Sequence, residues 1–150
     1  MTNVVCKSHN ESWVTFDTCR LHALQRNKTI LNIFVNFLHS TNNISMRMQV
    51  QKKANGYKPW IFDTTFDACK FMKDKSNKAV NVVYDLFKEF SSINHRCPYE
   101  GKQYLKGFYP VFEKLRLPIP TGDYLLLMSW KFYNILQFET NVYFTLVEDF

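Results

Sequence analysis

The sequence predicts a mainly β fold, an antiparallel and immunoglobulin-like β-sandwich of about eight strands, with one amphipathic helix inserted near residues 77–91. Three observations support this prediction. Most apolar segments alternate with a period of two, turn residues separate them at short intervals, and one segment alone has helical spacing. Because the 150 residues show no internal repeat and no linker-like composition, we expect a single domain over residues 1–150.

Strand-like alternation is clearest in three segments, at residues 31–37, 44–51 and 142–146. In the second segment Met48 should face one side of the sheet and Arg47 the other, because successive side chains of a strand point to opposite faces. Each of these segments therefore predicts a half-buried strand with one apolar face.

Other residues predict how the strands are joined and where they lie in the sheet. The run 124–132 is apolar on nearly both faces, which is typical of a central strand. Asn55-Gly56 is the strongest turn signal, because a tight hairpin turn needs positive φ at both central residues. Pro59 has no amide hydrogen, so its strand should lie at an edge or begin close by.

The predicted helix is the segment 77–90. Its apolar residues recur at steps of three and four, which describes one stripe of an amphipathic helix with charged residues outside it. The residues of this stripe are Ala79, Val82, Val83, Leu86, Phe87 and Phe90.

The chain carries a formal net charge of +6, which favours anionic partners. Its Lys and Arg residues are scattered, however, and no nucleic-acid-binding motif accompanies them, so we expect no nucleic-acid partner. No apolar run is long enough to span a bilayer, so we do not expect a membrane-spanning protein.

Cysteines and glycosylation motifs point to an oxidising compartment. An even number of cysteines permits two disulfides, and three Asn-x-Ser/Thr motifs lie in the first 45 residues. The cysteines are Cys6, Cys19, Cys69 and Cys97, and the acceptor residues are Asn10, Asn27 and Asn43. The N-terminus has no signal-peptide pattern, which leaves a cytosolic protein as the alternative.

Two groups of residues could form a reactive site, a pair of aspartates and a set of cysteine and histidine residues, but structural roles account for both. Asp63 and Asp67 could form an acid/base pair, but four residues along a strand separate them by roughly 13 Å, too far for a glycosidase pair. We expect Asp67 to cap the element that follows. Zinc could be bound by Cys6 with His9 and by Cys19 with His22, with His95 and Cys97 as a third pair, but neither Cys-x-x-His pair contains the turn residue that such a site needs. No metal, cofactor or catalytic residue is therefore predicted.

Large apolar side chains are abundant and form the candidate ligand pocket. They could fill a solid core or line a cavity between two sheets, and flexible Met suits both. The pocket candidates are Phe34, Phe37, Met46, Met48, Phe66, Phe71, Phe87, Met128 and Phe144.

Three stretches carry a family resemblance: ANGYKPWIFDTTFDACKFM, KAVNVVYDLFKEFSSINHRCPYEG and LPIPTGDYLLLMSWKFYN. They resemble a family of secreted proteins that is expanded in insects and catalogued as a domain of unknown function. That family is similar to the fly chemosensory B-type proteins and, more distantly, to the ML lipid-recognition superfamily with the ganglioside activator. The resemblance implies an ML-like cup that holds a lipid between its sheets.

The same resemblance bears on processing and disulfides. It implies mature chains that begin near Thr2, with Met1 added, and therefore secretion. Within this family framework we expect Cys6–Cys19 and Cys69–Cys97 pairs, while the other two pairings remain open. Unlike ML proteins, the chain has no cysteine after Cys97.

Two functions follow from these observations. We expect first a secreted, non-enzymatic protein that holds a lipid or other hydrophobic small molecule, with chemosensation as the setting and a membrane receptor or channel as a further partner. The alternative is an extracellular protein-interaction module without a small ligand, which would show an exposed apolar or basic patch. An enzyme would require a polar cluster in a cleft, and no motif predicts one.

Overall fold

A computed structural model describes residues 1–26, 28–111 and 119–147 of the protein. The described residues form eight strands and two helices. In chain order these are β1 (Asn3–Ser8), β2 (Val14–Gln25), β3 (Lys28–Thr41), β4 (Ile44–Lys53), β5 (Tyr57–Asp67), α1 (Ala68–Lys73), α2 (Lys78–Phe87), β6 (Tyr99–Phe108), β7 (Gly122–Phe132) and β8 (Ile135–Leu146).

The strands form two antiparallel sheets, and this confirms the predicted mainly β sandwich. The five-stranded sheet has the order β1-β8-β7-β4-β5, and the three-stranded sheet has the order β2-β3-β6. The apolar run 124–132 lies in β7, the third of five strands, so the prediction of a central strand is confirmed. The strand that contains Pro59 is β5, at an edge of its sheet, as predicted.

The core lies between the two sheets, because alternate residues of each strand point inward. In β4, Met46 and Met48 are buried while Arg47 is exposed, which confirms the predicted facing. From the opposite sheet Phe37 packs against Phe132 and Phe138, with ring centroids 5.1 Å and 5.9 Å apart. The contact with Phe132 is edge-to-face, an arrangement that adds to the burial of large rings.

The hairpin between β4 and β5 turns at Asn55 and Gly56, which have φ angles of 59° and 92°. The predicted turn is therefore confirmed. A second tight turn joins β7 to β8 through Tyr133 and Asn134, also at positive φ, with values of 53° and 65°. No glycine marks this turn, and it was not among the turns predicted from the sequence.

Helix α2 confirms the predicted helix, and its buried face differs from the predicted stripe in part. Asn77 caps it by accepting a hydrogen bond from the Val80 amide at 3.2 Å, and the helix ends at Phe87. Ala79, placed in the apolar stripe by the sequence, is exposed, whereas Val80 is 1% exposed. The inward face therefore overlaps the predicted stripe at Val83 and Phe87, and it extends to Val80 in place of Ala79.

Helix α1 corrects the prediction of a single helix. It has six residues, too few to show a helical period in the sequence. Its N-cap is Asp67, whose carboxylate accepts a hydrogen bond from the Lys70 amide at 2.9 Å. The expected capping role of Asp67 is confirmed.

Two disulfides connect the sheets at opposite sides. Cys6 of the edge strand β1 bonds to Cys19 of the edge strand β2. On the other side Cys69, in α1 directly after the edge strand β5, bonds to Cys97, directly before the edge strand β6. Both expected pairings are confirmed, and together they link the two sheets near both pairs of edge strands.

Candidate functional site: an apolar cavity between the sheets

A cavity of about 130 Å³ lies between the two sheets and extends to both helices. One wall comes from β3 and β6, and the other comes from β4, β5, β7 and β8. Helices α1 and α2 contribute Phe71, Met72 and Val80, and the segment after α2 contributes Ser91 and Ile93. Among the described residues, the surface of the cavity is almost entirely apolar and no charged residue lines it.

Seven of the nine predicted pocket residues line this cavity, namely Phe37, Met46, Met48, Phe66, Phe71, Phe87 and Met128. They come from six elements of the chain, and the sandwich brings them together. The inward alternation of β3, β4, β5 and β7 explains why the strand residues meet.

Phe34 and Phe144 lie outside the cavity lining. Phe34 is on the outer face of the three-stranded sheet, because its neighbours Ile33 and Val35 point inward. Its ring packs against Tyr104, with centroids 6.4 Å apart. Phe144 points into the sandwich but stacks on Tyr124 at 5.6 Å, beyond the cavity.

The sequence predicted Phe71 and Phe87 but missed other lining residues that the helices contribute. Val80 and Tyr84 belong to the buried face of α2, and Met72 belongs to the unpredicted α1. A helical stripe through Val80, Val83, Tyr84 and Phe87 is present in the sequence at steps of three, one and three. It competes with the stripe that we predicted, and periodicity alone does not choose between them.

The polar side chains of the buried lining already have hydrogen-bond partners. The Tyr84 hydroxyl donates to the Ile93 carbonyl at 2.7 Å, and burial raises the pKa of this hydroxyl. The Gln103 amide accepts from the Ser92 hydroxyl at 2.9 Å and donates to the Glu100 carbonyl at 3.2 Å.

Two further hydroxyl groups of the lining accept hydrogen bonds from the protein. Thr140 Oγ1 accepts from Trp130 Nε1 at 3.4 Å, and Ser91 Oγ accepts from the Ile93 amide at 3.0 Å. The lining therefore presents apolar surface and few unpaired groups to a ligand.

Asp63 and Asp67 lie away from the cavity. Arg47 donates two hydrogen bonds to Asp63, Nε to Oδ1 at 3.0 Å and Nη2 to Oδ2 at 2.8 Å. This guanidinium lowers the pKa of Asp63, and the Gln49 amide donates a further bond. Asp67 caps α1. The two carboxylates thus have structural partners on the surface and do not face a common space.

The cysteine and histidine pairs do not form a metal site. All four cysteines are in disulfides. Within residues 1–26, 28–111 and 119–147, no group of three His, Cys, Asp or Glu side chains could hold a metal ion. His9 instead contacts Glu139, and His95 stacks on Tyr99.

The glycosylation candidates differ in accessibility. Asn43 is exposed in the turn between β3 and β4. Asn10 is half-buried, and its side-chain oxygen accepts a hydrogen bond from the Ser12 hydroxyl at 2.6 Å. Asn27 lies outside the residues that the structure describes.

The fold and the cavity together define a class of protein, a two-sheet β-sandwich that two disulfides hold at its edges around an internal apolar space. The chain belongs to the family described as protein of unknown function (DUF1091), whose profile matches residues 44–126. The match runs from the start of β4 into β7, and it includes both helices and most of the cavity wall. No curated protein matches the chain.

Proposed function

We propose that this protein is a secreted, non-enzymatic binding protein that holds a hydrophobic small molecule between its two sheets. The observation that carries the proposal is the cavity of about 130 Å³, with an almost wholly apolar surface formed by both sheets and both helices. Small-molecule sites are typically concave and apolar, and transfer of apolar ligand surface into such a space is favourable.

The polar groups near the cavity support binding rather than catalysis. A catalytic site places titratable groups with shifted pKa values in a cleft. Here Tyr84 is the lining residue with a shifted pKa in the described part of the chain, and burial is the main cause. The pKa of Tyr99 is raised for the same reason, but its hydroxyl bonds to the His95 carbonyl.

Secretion is supported by the two disulfides, which are typical of oxidising compartments. Neither helix in the described residues is long and apolar enough to cross a bilayer. The resemblance to secreted insect proteins, to chemosensory B-type proteins and to the ML superfamily suggests a setting. In that setting the loaded protein delivers its ligand to a membrane receptor or channel, and Asn43 carries a glycan.

The direct test is native mass spectrometry of protein secreted from eukaryotic cells, followed by organic extraction. A cavity-filling variant, Ala68→Leu, should lose the bound species, because Ala68 lines the cavity. Ala79→Leu is the matched control, since Ala79 is exposed on α2 and makes no part of the lining.

A stoichiometric hydrophobic species on the unmodified protein and on Ala79→Leu, absent from Ala68→Leu, would support the proposal. A ligand-free mass, together with no uptake from a panel of hydrophobic compounds, would overturn it. The same spectra report whether Asn10, Asn27 and Asn43 carry glycans.

A second candidate is an extracellular interaction module, and one surface favours it. Three apolar side chains at the end of the sandwich are unusually exposed, with Tyr133 at 50%, Ile135 at 60% and Leu38 at 46%. Trp13 lies beside them, with its ring centroid 6.3 Å from that of Tyr133 and its carbonyl bonded to the Leu38 amide. Exposed apolar patches often mark protein contacts.

The two candidates make opposite predictions for binding to membranes of the source tissue. If the exposed patch is the functional surface, Tyr133→Ser with Ile135→Ser should abolish binding while Ala68→Leu leaves it intact. If the loaded cavity is required, Ala68→Leu should abolish binding and the double patch variant should retain it.

A further inference from the structure

The size of the cavity limits what it can hold. A dry apolar cavity of about 150 Å³ binds a single benzene molecule, and the cavity here measures about 130 Å³. Typical ligand pockets for drug-sized molecules are several times larger, roughly 300–1,000 Å³. The space therefore accommodates one compact hydrocarbon group and not a whole long-chain lipid.

The hydrogen bonds of the lining restrict the chemistry of that group. The polar side chains of the buried lining, Tyr84, Ser91, Gln103 and Thr140, bond to other groups of the protein. A ligand hydroxyl or carboxylate placed among them would lose its hydrogen bonds to water and gain few in return. The buried part of the ligand should accordingly carry no polar group.

The kinds of apolar side chain favour an aromatic ring over a flexible chain. Four of the lining residues are methionines, namely Met46, Met48, Met72 and Met128. Thioether sulfur makes favourable contacts with aromatic ring edges, and Met adapts its shape to a guest. A rigid ring also has fewer internal rotations to lose on binding than an alkyl chain of similar volume.

We infer that the cavity binds a single benzene-sized aromatic hydrocarbon group, with any polar substituent of the ligand left outside the space between the sheets. This inference rests on the proposed function and names the ligand class of the same site. It departs from the family resemblance, which implies a lipid chain.

Methionine methyl NMR provides a direct test, because four of the five methionines line the cavity. Met1, which packs near Leu31 and Val142 in a separate core cluster, is an internal control. The probes are toluene, its polar near-isostere phenol, the flexible hydrocarbon n-hexane, and palmitate. We expect saturable shifts of the Met46, Met48, Met72 and Met128 methyls with toluene, with Met1 unmoved.

The other probes test each part of the inference. We expect phenol to bind at least about tenfold more weakly than toluene, because its hydroxyl is bonded directly to the ring and therefore cannot stay outside the space when the ring is buried, where it has no partner. We expect n-hexane to bind more weakly than toluene and palmitate not to saturate the site. Ala68→Leu should abolish the toluene shifts, and Ala79→Leu should retain them. If Ala68→Leu does not fold, Val80→Leu fills the same space from α2.

Each contrary result has a distinct meaning. Phenol or n-hexane binding as tightly as toluene would overturn the aromatic hydrocarbon class while leaving the proposed function standing. Saturation of the same four methyls by palmitate would do the same and would favour a lipid. If none of the probes moves these methyls, both the ligand class and the proposed function fail.

Discussion

At the scale of one residue, a substitution at Met48 tests whether this side chain lies on the inner face of the sandwich. It is 6% exposed, pairs with Met128 across β4 and β7, and lines the cavity. We expect Met48→Glu to lower the free energy of unfolding by about 4 kcal/mol or more, because it buries an unpaired carboxylate. Urea denaturation followed by circular dichroism measures the change.

Thr65→Glu is the matched control for this substitution. Thr65 is exposed on the outer face of β5, directly opposite Arg47 in the neighbouring strand. A glutamate there should change stability by less than about 0.5 kcal/mol. Equal effects of the two substitutions would show that the inward facing of β4 is incorrect.

The Arg47–Asp63 pair gives a pH-dependent prediction. Hydrogen bonds from Arg47 hold the pKa of Asp63 below its ordinary value. Because this pKa is lower in the folded state, the pair stabilises the fold above the unfolded pKa of about 3.9, and that contribution is lost as pH falls through the folded pKa. Both side chains are exposed, so the contribution to stability is small.

We expect Arg47→Ala to raise the pKa of Asp63 towards the unfolded value. Carboxyl carbon NMR during an acid titration reads this pKa directly in both proteins. A pKa of Asp63 that does not change in Arg47→Ala would mean that the guanidinium is not its main stabilising partner.

At the scale of elements, the capping of α2 is testable. The Asn77 side chain satisfies the Val80 amide, and α2 places Val80, Tyr84 and Phe87 against the cavity. We expect Asn77→Ala to lower the free energy of unfolding by about 1 kcal/mol. Asn77→Asp is the control, because a carboxylate accepts the same hydrogen bond. The prediction fails if alanine and aspartate give the same stability.

Elements also show which local signals can be read from sequence. The turn at Asn55-Gly56 was predictable because both residue types tolerate positive φ. The turn at Tyr133-Asn134 was not, because a bulky residue rarely adopts that conformation on local grounds. There the neighbouring strands impose the turn, since Phe132 pairs directly with Ile135. Packing overrode local preference at this position.

At the scale of the whole molecule, removal of either disulfide should lower stability, whereas removal of only one of them should weaken ligand binding. A disulfide lowers the conformational entropy of the unfolded chain, and this effect grows with the length of the loop that it closes. The bridges join residues 13 and 28 positions apart, so each should stabilise the fold by about 3 kcal/mol or slightly more. Thermal or urea unfolding of the two double serine variants, Cys6→Ser with Cys19→Ser and Cys69→Ser with Cys97→Ser, should show similar losses.

Ligand binding should distinguish the two bridges. Cys69–Cys97 holds α1, which supplies Ala68, Phe71 and Met72 to the cavity, whereas Cys6–Cys19 joins strands that do not line it. We therefore expect weaker toluene binding only in Cys69→Ser with Cys97→Ser. Equal weakening in both variants would mean that general loosening of the sandwich, and not α1, controls the cavity.

The sequence alone determined which side chains of β4 point inward, the central position of β7, the existence of α2 and the hairpin turn at Asn55-Gly56. These features follow from periodicity and backbone preference, which are local. The tertiary structure decided which face of α2 turns inward, that α1 forms, and that Phe34 lies outside while Val80 and Tyr84 line a space. It also decided that the apolar residues leave a cavity instead of filling a solid core. The physical reason is that the presence and volume of a cavity depend on the distance between the two disulfide-linked sheets, and no local pattern of residues encodes that distance.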